Sequence, residues 1–420
     1  MERQTRDVRF IKRIAILHYA GPPIVGGVET TIYHHARLLA ETGHDVHVIV
    51  GRGDSFHPEV IFHRIPRMDS RHPAVLAVGQ ALADGEIPPD FAPLRDRLAG
   101  RLRPLLTGVD ITIVHNAITL HKNLPLTAAL HQLALEGVRL IAWCHDFAWQ
   151  DALYAPDLHP GYPWDLLRTA WPGVRYVVVS QHRRRRLAEL LNLREEAIRV
   201  VNPGVDIAGF LKLEPTTRRL VDELHLLAAD PLMLLPARIT RRKNIEFAIR
   251  VTAALTRHKP QATLVVTGPP GPHNPTNIDY LESLQALRAD LGVTEQVRFL
   301  YEHGTGNQPL HVTDAMVADL YRLADLLLFP SRREGFGIPV LEAGLVRLPV
   351  FAAHIPPVQE SAGDRAYLFD PDGAPAAVAD AIADHLEGDR AYQLRRRVVS
   401  RFTWQAVLDN LLLPLIREVA

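Results

Sequence analysis

The chain reads as an α/β protein built from two doubly wound domains facing across a cleft. Three observations predict this. Its 420 residues exceed one ordinary core and suit two domains of roughly 200 each. Short apolar runs alternate with helical spans, the signature of a parallel sheet covered by helices. The alternation pauses at "NPGVDIAGF" (202–210) and then restarts.

In order along the first half, "RIAILHYA" (13–20) is a buried strand closed by "GPPIVGG", and an amphipathic helix follows from Val28 to Glu41. Further strands are read at 44–50, 60–66, 110–116, 138–146, 175–180 and 198–204, each a short run rich in Val, Ile or Leu. The Pro and Gly of 202–210 mark the linker, so the first domain is 1–204 and the second 205–400. In the second half, strands are read at 232–239, 262–270, 297–301, 326–331, 349–354 and 366–370. Residues 401–420 form a terminal amphipathic helix, expected to return onto the first domain. Ligands of such sheets sit beyond the C-terminal ends of the strands.

Charge and cysteine content narrow the function classes. Acidic and basic residues balance at 47 each, so no overall field recruits nucleic acid or an anionic membrane. Lysine occurs only at 12, 122, 212, 243 and 259, the other 42 basic residues being arginine. Cys144 is the single cysteine, so a reducing, cytoplasmic setting is expected. The start "MERQTRDVRFIKR" is charged, unlike a signal peptide. No apolar run approaches the ~18 residues of a membrane span.

The stretch richest in chemical meaning is "SRREGFGIPVLEAG" (331–344). Glu334 and Glu342 are eight residues apart, with Gly335, Gly337 and Pro339 between them. Glycines are poor helix interiors, and proline suits a first turn. The stretch therefore reads as strand end, loop and helix, with Glu334 in the loop and Glu342 in the first helical turn. Carboxylates there accept hydrogen bonds from hydroxyl groups, and free amides at the helix start favour an anion. A phosphorylated sugar meets both demands.

Two other loops belong with it. "LLPARITRRKN" places Arg238 and Lys243, with Arg241 and Arg242, beyond the first strand of the second domain. Arginine and lysine together make a diphosphate clamp; a solvated basic turn is the plain alternative. "PPIVGGVE" sets Gly26 and Gly27 after the first strand, where backbone could approach a phosphate or simply turn.

Together "GGVE", "NPGVD", "ARITRRKN", "EGFGIPVLEAG" and "FTW", in this order, resemble the family-4 retaining glycosyltransferases, whose fold is the pair of Rossmann-like domains called GT-B. The resemblance covers nearly the whole chain and is strongest from about 232 to 370. It implies that Arg238 and Lys243 bind the donor diphosphate and that Glu342 accepts from ribose hydroxyls. It implies that Glu334 holds the donor sugar, near the amides of Phe336 and Gly337. Gly27, with Gly26, would close over the phosphates, while Ile338 and Gly268 would border the donor. His145, ending "IAWCHD", would stand beside the transferred sugar. A hexosyl group would pass from a UDP-, GDP- or ADP-linked sugar to a hydroxyl acceptor, a small soluble molecule or growing glycan. A donor phosphate oxygen would take the acceptor proton, with no cofactor and no metal required.

The remaining signals are weaker. Asn116, His121, Lys122, Trp149 and Tyr154 lie on strand-end loops of the first domain and are acceptor candidates. Arg183 to Arg186 fan around a helix start, which reads as a solvated end before it reads as a lipid or phosphate dock. "DPD" (370–372) has the look of a metal motif but the position of a turn. Cys144 reads as buried and inert. The irregular stretch 302–317 either lines a pocket or is an elaborated loop. Two other classes stay open: a sugar-nucleotide epimerase, which needs acid/base groups at the donor and no acceptor pocket, and a non-catalytic nucleotide-sugar-binding subunit.

Overall fold

The computed structural model describes residues 11–271, 276–304, 306 and 308–419. The first ten residues of the charged N-terminus, and Thr305 and Asn307 of the irregular stretch, lie outside them. Two compact units emerge: Met1–Val205 with Phe402–Ala420, and Asp206–Arg401.

The first unit contains β1 (Arg13–Ala20), β2 (Asp45–Arg52), β3 (Val60–Arg64), β4 (Ile111–His115), β5 (Leu140–Cys144), β6 (Arg175–Val178) and β7 (Ile198–Val200). They form one sheet in the order β3-β2-β1-β4-β5-β6-β7, parallel throughout. The second unit contains β8 (Leu232–Leu235), β9 (Thr263–Val266), β10 (Val297–Phe299), β11 (Leu326–Phe329), β12 (Val350–Ala353) and β13 (Tyr367–Phe369). Their order, β10-β9-β8-β11-β12-β13, repeats that of the first six strands. Each of the thirteen runs read as strands is a strand here.

Burial explains why these runs were legible. Helices cover both faces of a parallel sheet, so central strands must be apolar at every position. β4, β5, β8, β9, β11 and β12 are buried at every residue. The edge strands β3 and β13 are largely exposed or half-buried, and β3 carries His63 and Arg64.

Each sheet reverses direction of travel once, between β1 and β4 and between β8 and β11. Chain leaving the two strands on either side of such a point departs in opposite directions, which opens a crevice at their C-terminal ends. The loops after β8 and β11 hold Arg238–Lys243 and Glu334. Those after β1 and β4 hold Gly26–Gly27 and Asn116.

The C-terminal segment does not form one α-helix. It runs as Trp404–Val407, a wider π-helical turn Leu408–Leu412, and Leu413–Val419. Pro414 has no N–H for the carbonyl four residues back, and its ring crowds that carbonyl, so the preceding turn opens. Trp404, Val407, Leu412 and Ile416 pack with Ile32, Leu39, Val46 and Ile113 on one face of the first sheet. Gly204 is the crossing point: a Cβ there would meet the backbone of Trp404 at 2.7 Å.

Candidate active site

In the second unit, two loops are joined by their backbones. The Arg332 amide donates to the carbonyl of Arg242 at 2.9 Å. The chain after β8 makes a short 3-10 turn, Arg241–Lys243, and leaves it through Asn244 at φ 52°. Asn244 is fully buried, and its Nδ2 donates to the Pro371 carbonyl at 3.1 Å. Asparagine tolerates this left-handed conformation better than most residues. The turn is thereby pinned to the 370–372 loop, where the Asp372 amide donates to Asp370 Oδ1. "DPD" is a turn, and Arg332 pairs with its Asp372 at 2.6 Å.

That pinning delivers Lys243 into the protein. Its Nζ donates to Glu334 Oε1 at 2.5 Å and lies 5.1 Å above the Phe329 ring. Arg242 Nη1 donates to Glu334 Oε2 at 3.2 Å. Burial pushes Glu334 up, but the bond from Lys243, the nearby Ser331 and the charges of Lys243 and Arg242 outweigh it, holding the carboxyl below its usual range. Lys243 is also pushed down, by burial first, with Glu334 restoring part and Arg242 opposing. The pair favours the charged form of each partner, and burial outweighs it only at the Lys243 ammonium. Each Glu334 oxygen retains an acceptor site for a hydroxyl.

The other cations are placed differently. Arg241 turns away, its guanidinium 4.9 Å over the Tyr280 ring. Arg238 is exposed on the wall of a cavity of about 480 Å³ with Thr267, Gly268, Pro309 and His311. Part of the irregular stretch, Pro309–Val312, therefore lines a pocket. Gly268 brings the ends of β8 and β9 together: a Cβ would meet the Ala237 oxygen at 2.4 Å and Arg238 Cα at 2.6 Å. Its contribution is close approach of two backbones.

Beyond β11, Gly337 (φ 93°) caps the helix Ile338–Leu345, with Pro339 in its first turn. Glu342 is the fifth residue of that helix, so it occupies the second turn and the first-turn expectation is corrected. The helix starts at Ile338, capped by Gly337, one residue earlier than a start at Pro339. Glu342 is half-buried and accepts from the Tyr321 hydroxyl at 2.7 Å through Oε2. Burial, then that carboxylate, push the Tyr321 phenol well up. The amides of Phe336 and Gly337 bond to nothing among the described residues, and Phe336 and Ile338 are exposed.

In the first unit, Gly26 caps the helix Gly27–Glu41 in ordinary extended conformation. A Cβ on Gly27 would meet nothing within 4 Å, whereas one on Gly26 would strike the Glu29 carboxylate. Glu29 therefore folds back beside the expected phosphate position.

Asn116, at the end of β4 with φ 55°, is buried, and its Oδ1 accepts the amides of His145 (2.8 Å) and Asp146 (3.3 Å). That use of the carboxamide oxygen ties β4 to the chain leaving β5. His145 is half-buried, its Nε2 3.1 Å from His115 Nδ1. Burial, then the Arg183 guanidinium, push its imidazole down to about 4. His121 and Lys122 line a second cavity, of about 390 Å³, with Ser70, Leu76 and Asp157. Tyr154 packs beside them, its ring 4.9 Å from that of His121. Trp149 is not in its wall; it donates to the Trp164 carbonyl and one face is covered by Arg168 at 4.0 Å.

The arginine run is mostly committed within the unit. Arg183 pairs with Asp146 at 3.0 Å, Arg184 with Glu195 at 3.1 Å, and Arg186 with Gln150 at 2.9 Å. No helix among the described residues is long and apolar enough to cross a membrane. Cys144 is buried, its thiol pushed up to about 12 by burial. Among the described residues no group of three His, Cys, Asp or Glu is placed to hold a metal ion.

Comparison with known proteins gives the family. A sequence model described as "Glycosyl transferases group 1" matches residues 220–401, and one described as "Glycosyltransferase Family 4" matches residues 25–208. The chain belongs to the family-4 glycosyltransferases. Similar family-4 members include the D-inositol 3-phosphate glycosyltransferase of Nocardia farcinica, 30% identical over 246 residues, 57% of this chain and 51% of that protein. The match thus spans about half the length of that relative. The protein of the same description from Salinispora tropica is 28% identical over 421 residues, covering 94% and 82%. Among solved structures, sucrose-phosphate synthase from Thermosynechococcus elongatus has a TM-score of 0.38 at 18% identity, covering 97% and 99%.

Sequence reading missed several residues of this candidate site. Tyr321 holds Glu342 from another helix, Arg242 shares Glu334, and Arg183 bears on His145. Each acts through a contact spanning 21 to 92 positions, which leaves no local signature.

Proposed function

We propose that this glycosyltransferase moves a hexosyl group from a nucleoside-diphosphate sugar to a hydroxyl acceptor with retention of anomeric configuration. The observation that carries the reading is the Lys243–Glu334–Arg242 cluster. It lies at the switch point of the second sheet, next to the cavity that Arg238 walls. A cavity of this size suits a nucleoside. Arg238 and Lys243 neutralise the diphosphate as it departs, where charge develops. Glu342, held by Tyr321, accepts from the ribose. Glu334, neutralised on one side by two cations, accepts from sugar hydroxyls. Phe336 and Gly337 offer free amides, Ile338 borders the same loop, and His145 is assigned to the reacting sugar.

In the reaction the bond from the anomeric carbon to the diphosphate oxygen breaks and a bond to the acceptor oxygen forms. The acceptor proton passes to the departing phosphate, so no protein base and no metal ion is required. The 390 Å³ cavity beside His121, Lys122 and Tyr154 is the acceptor site in this reading. Its Ser70, Gln80 and Asp157 offer partners for hydroxyls and its single lysine for a phosphate, and the relatives' name makes an inositol phosphate the first acceptor to try. The test is a thermal-shift and calorimetric screen against UDP, GDP, ADP and their sugar conjugates, followed by NMR of the product anomer. One nucleotide should stabilise the protein preferentially without added metal, and the product should keep the donor's configuration. No response to any nucleotide, or an inverted product, would overturn the reading.

A further inference from the structure

The ends of three strands in the first unit converge on His145. From β4, Asn116 holds its backbone amide and the next one, while His115 meets its ring. From β1, His18 Nδ1 donates to the His115 carbonyl at 2.9 Å. Asn116 adopts φ 55° to do this, an uncommon conformation for a residue with a side chain.

His115 itself is 0% exposed. Its ring bonds to His145 through Nδ1, and its Nε2 is buried with no partner among the described residues. Around it stand the rings of Trp143 (5.5 Å) and His35 (6.1 Å). Leaving a ring nitrogen buried and unbonded costs about 1–3 kcal/mol, and a leucine would fill this place in β4 without that cost. What the imidazole adds is a partner for His145.

We propose that His115 is the positioning residue of this site: its Nδ1 holds the His145 ring in one orientation and one tautomer, leaving His145 Nδ1 for the reacting sugar. This rests on the role given to His145 above. Between two neutral imidazoles joined Nδ1 to Nε2 there is one proton, so neither ring can change tautomer alone without breaking the bond. Protonating the pair is opposed from every side. Burial acts first on both rings, and His18 from β1, His35 from the helix Gly27–Glu41 and Arg183 from the helix Gln181–Leu191 face them. Asp146 favours protonation, but its carboxylate is taken by Arg183. Lys122 bears on His18 and adds to the opposition. His145 Nδ1 has no partner among the described residues.

The experiment uses the full chain with His115→Leu, which keeps a buried apolar side chain, and His115→Asn, whose carboxamide replaces Nδ1. His115→Leu should lower kcat by ~10²-fold, the scale set by a misplaced group, with donor KM changed little. His115→Asn should recover most of that loss. In imidazole-¹⁵N-labelled protein, the His145 signals, found by difference with His145→Ala, should show a single tautomer in the parent. In His115→Leu they should average between two and move with pH. Equal losses in both variants, or His145 signals unchanged by His115→Leu, would overturn the proposal. A His145→Ala enzyme of full kcat would instead sink the role of His145, and the spectra would still decide whether His115 holds it.

Discussion

Replacing Lys243 with Met removes one charge and keeps the unbranched stem over Phe329. In the parent, Nζ is 2.5 Å from Glu334 Oε1, and both side chains are only 9% exposed. Stripping one partner from a buried pair costs about 3–5 kcal/mol. Arg242 still faces Oε2, so a value near 3 kcal/mol is expected. At roughly 2–4 °C per kcal/mol for a domain of this size, the second unit should melt about 6–12 °C lower. In the proposed reaction the same charge faces the departing diphosphate, and losing one such donor costs ~10²–10³ in kcat. The assay is nucleoside-diphosphate release under saturating donor, with thermal unfolding measured on the same samples. Saturating nucleotide should also stabilise the parent by about 3 kcal/mol at a hundredfold excess over Kd and the variant by clearly less. A variant that melts early yet turns over within ~3-fold of the parent would refute the clamp: the pair would serve the fold alone.

Tyr321→Phe removes the hydroxyl that orients Glu342 while keeping the ring in place. Donor KM should rise several-fold with kcat nearly unchanged, since the contact serves ground and transition state alike; a selective fall in kcat would argue against the ribose assignment. Gly268→Ala sets a Cβ against backbone at 2.4 Å, so it should cost about 1–3 kcal/mol as overpacking and weaken nucleotide binding through Arg238, both read by nucleotide-dependent melting. Acid should unfold the first unit early. Burial chiefly holds His18 and His145 near 4 and His35 near 3, below the unfolded value of about 6.5. Between those limits the unfolded chain binds more protons, so stability is lost as pH falls from about 6.5 towards 4, by ~3 kcal/mol for a group such as His18. All five tryptophans, at 143, 149, 164, 171 and 404, belong to this unit, so tryptophan fluorescence reports it. An acid midpoint unmoved by His35→Leu would contradict the burial argument.

The strands were legible because a parallel sheet buries both faces and writes continuous apolar runs into the chain. The loops after β8 and β11 were legible because glycine, proline and scarce lysine punctuate strand ends. Legibility failed where a residue's task depends on something distant. Asn116 looked free for a ligand because nothing local shows that the amides of residues 145 and 146 reach it. The arginine run looked like a surface charge cluster because Asp146, Gln150 and Glu195 lie on other elements. Glu342 was placed a turn early because the helix start is set by the left-handed backbone of Gly337, which a loop with two glycines leaves ambiguous.

What the amino-acid order determines by itself is periodic or local: which runs bury, where backbone must turn, and which charged side chains stand near strand ends. Tertiary structure decided how those charges are spent. Lys243 faces Glu334 while Arg241, two residues earlier, covers Tyr280, and His115 meets His145 while His121 meets Asp157. Neighbours in sequence diverge because each turn of backbone redirects the side chain, and electrostatic partners are chosen by distance in space. Hydrophobic patterning repeats along the chain and can be read from it; a pair of charges cannot, because its strength depends on a few ångströms that only the packed sheet ends define.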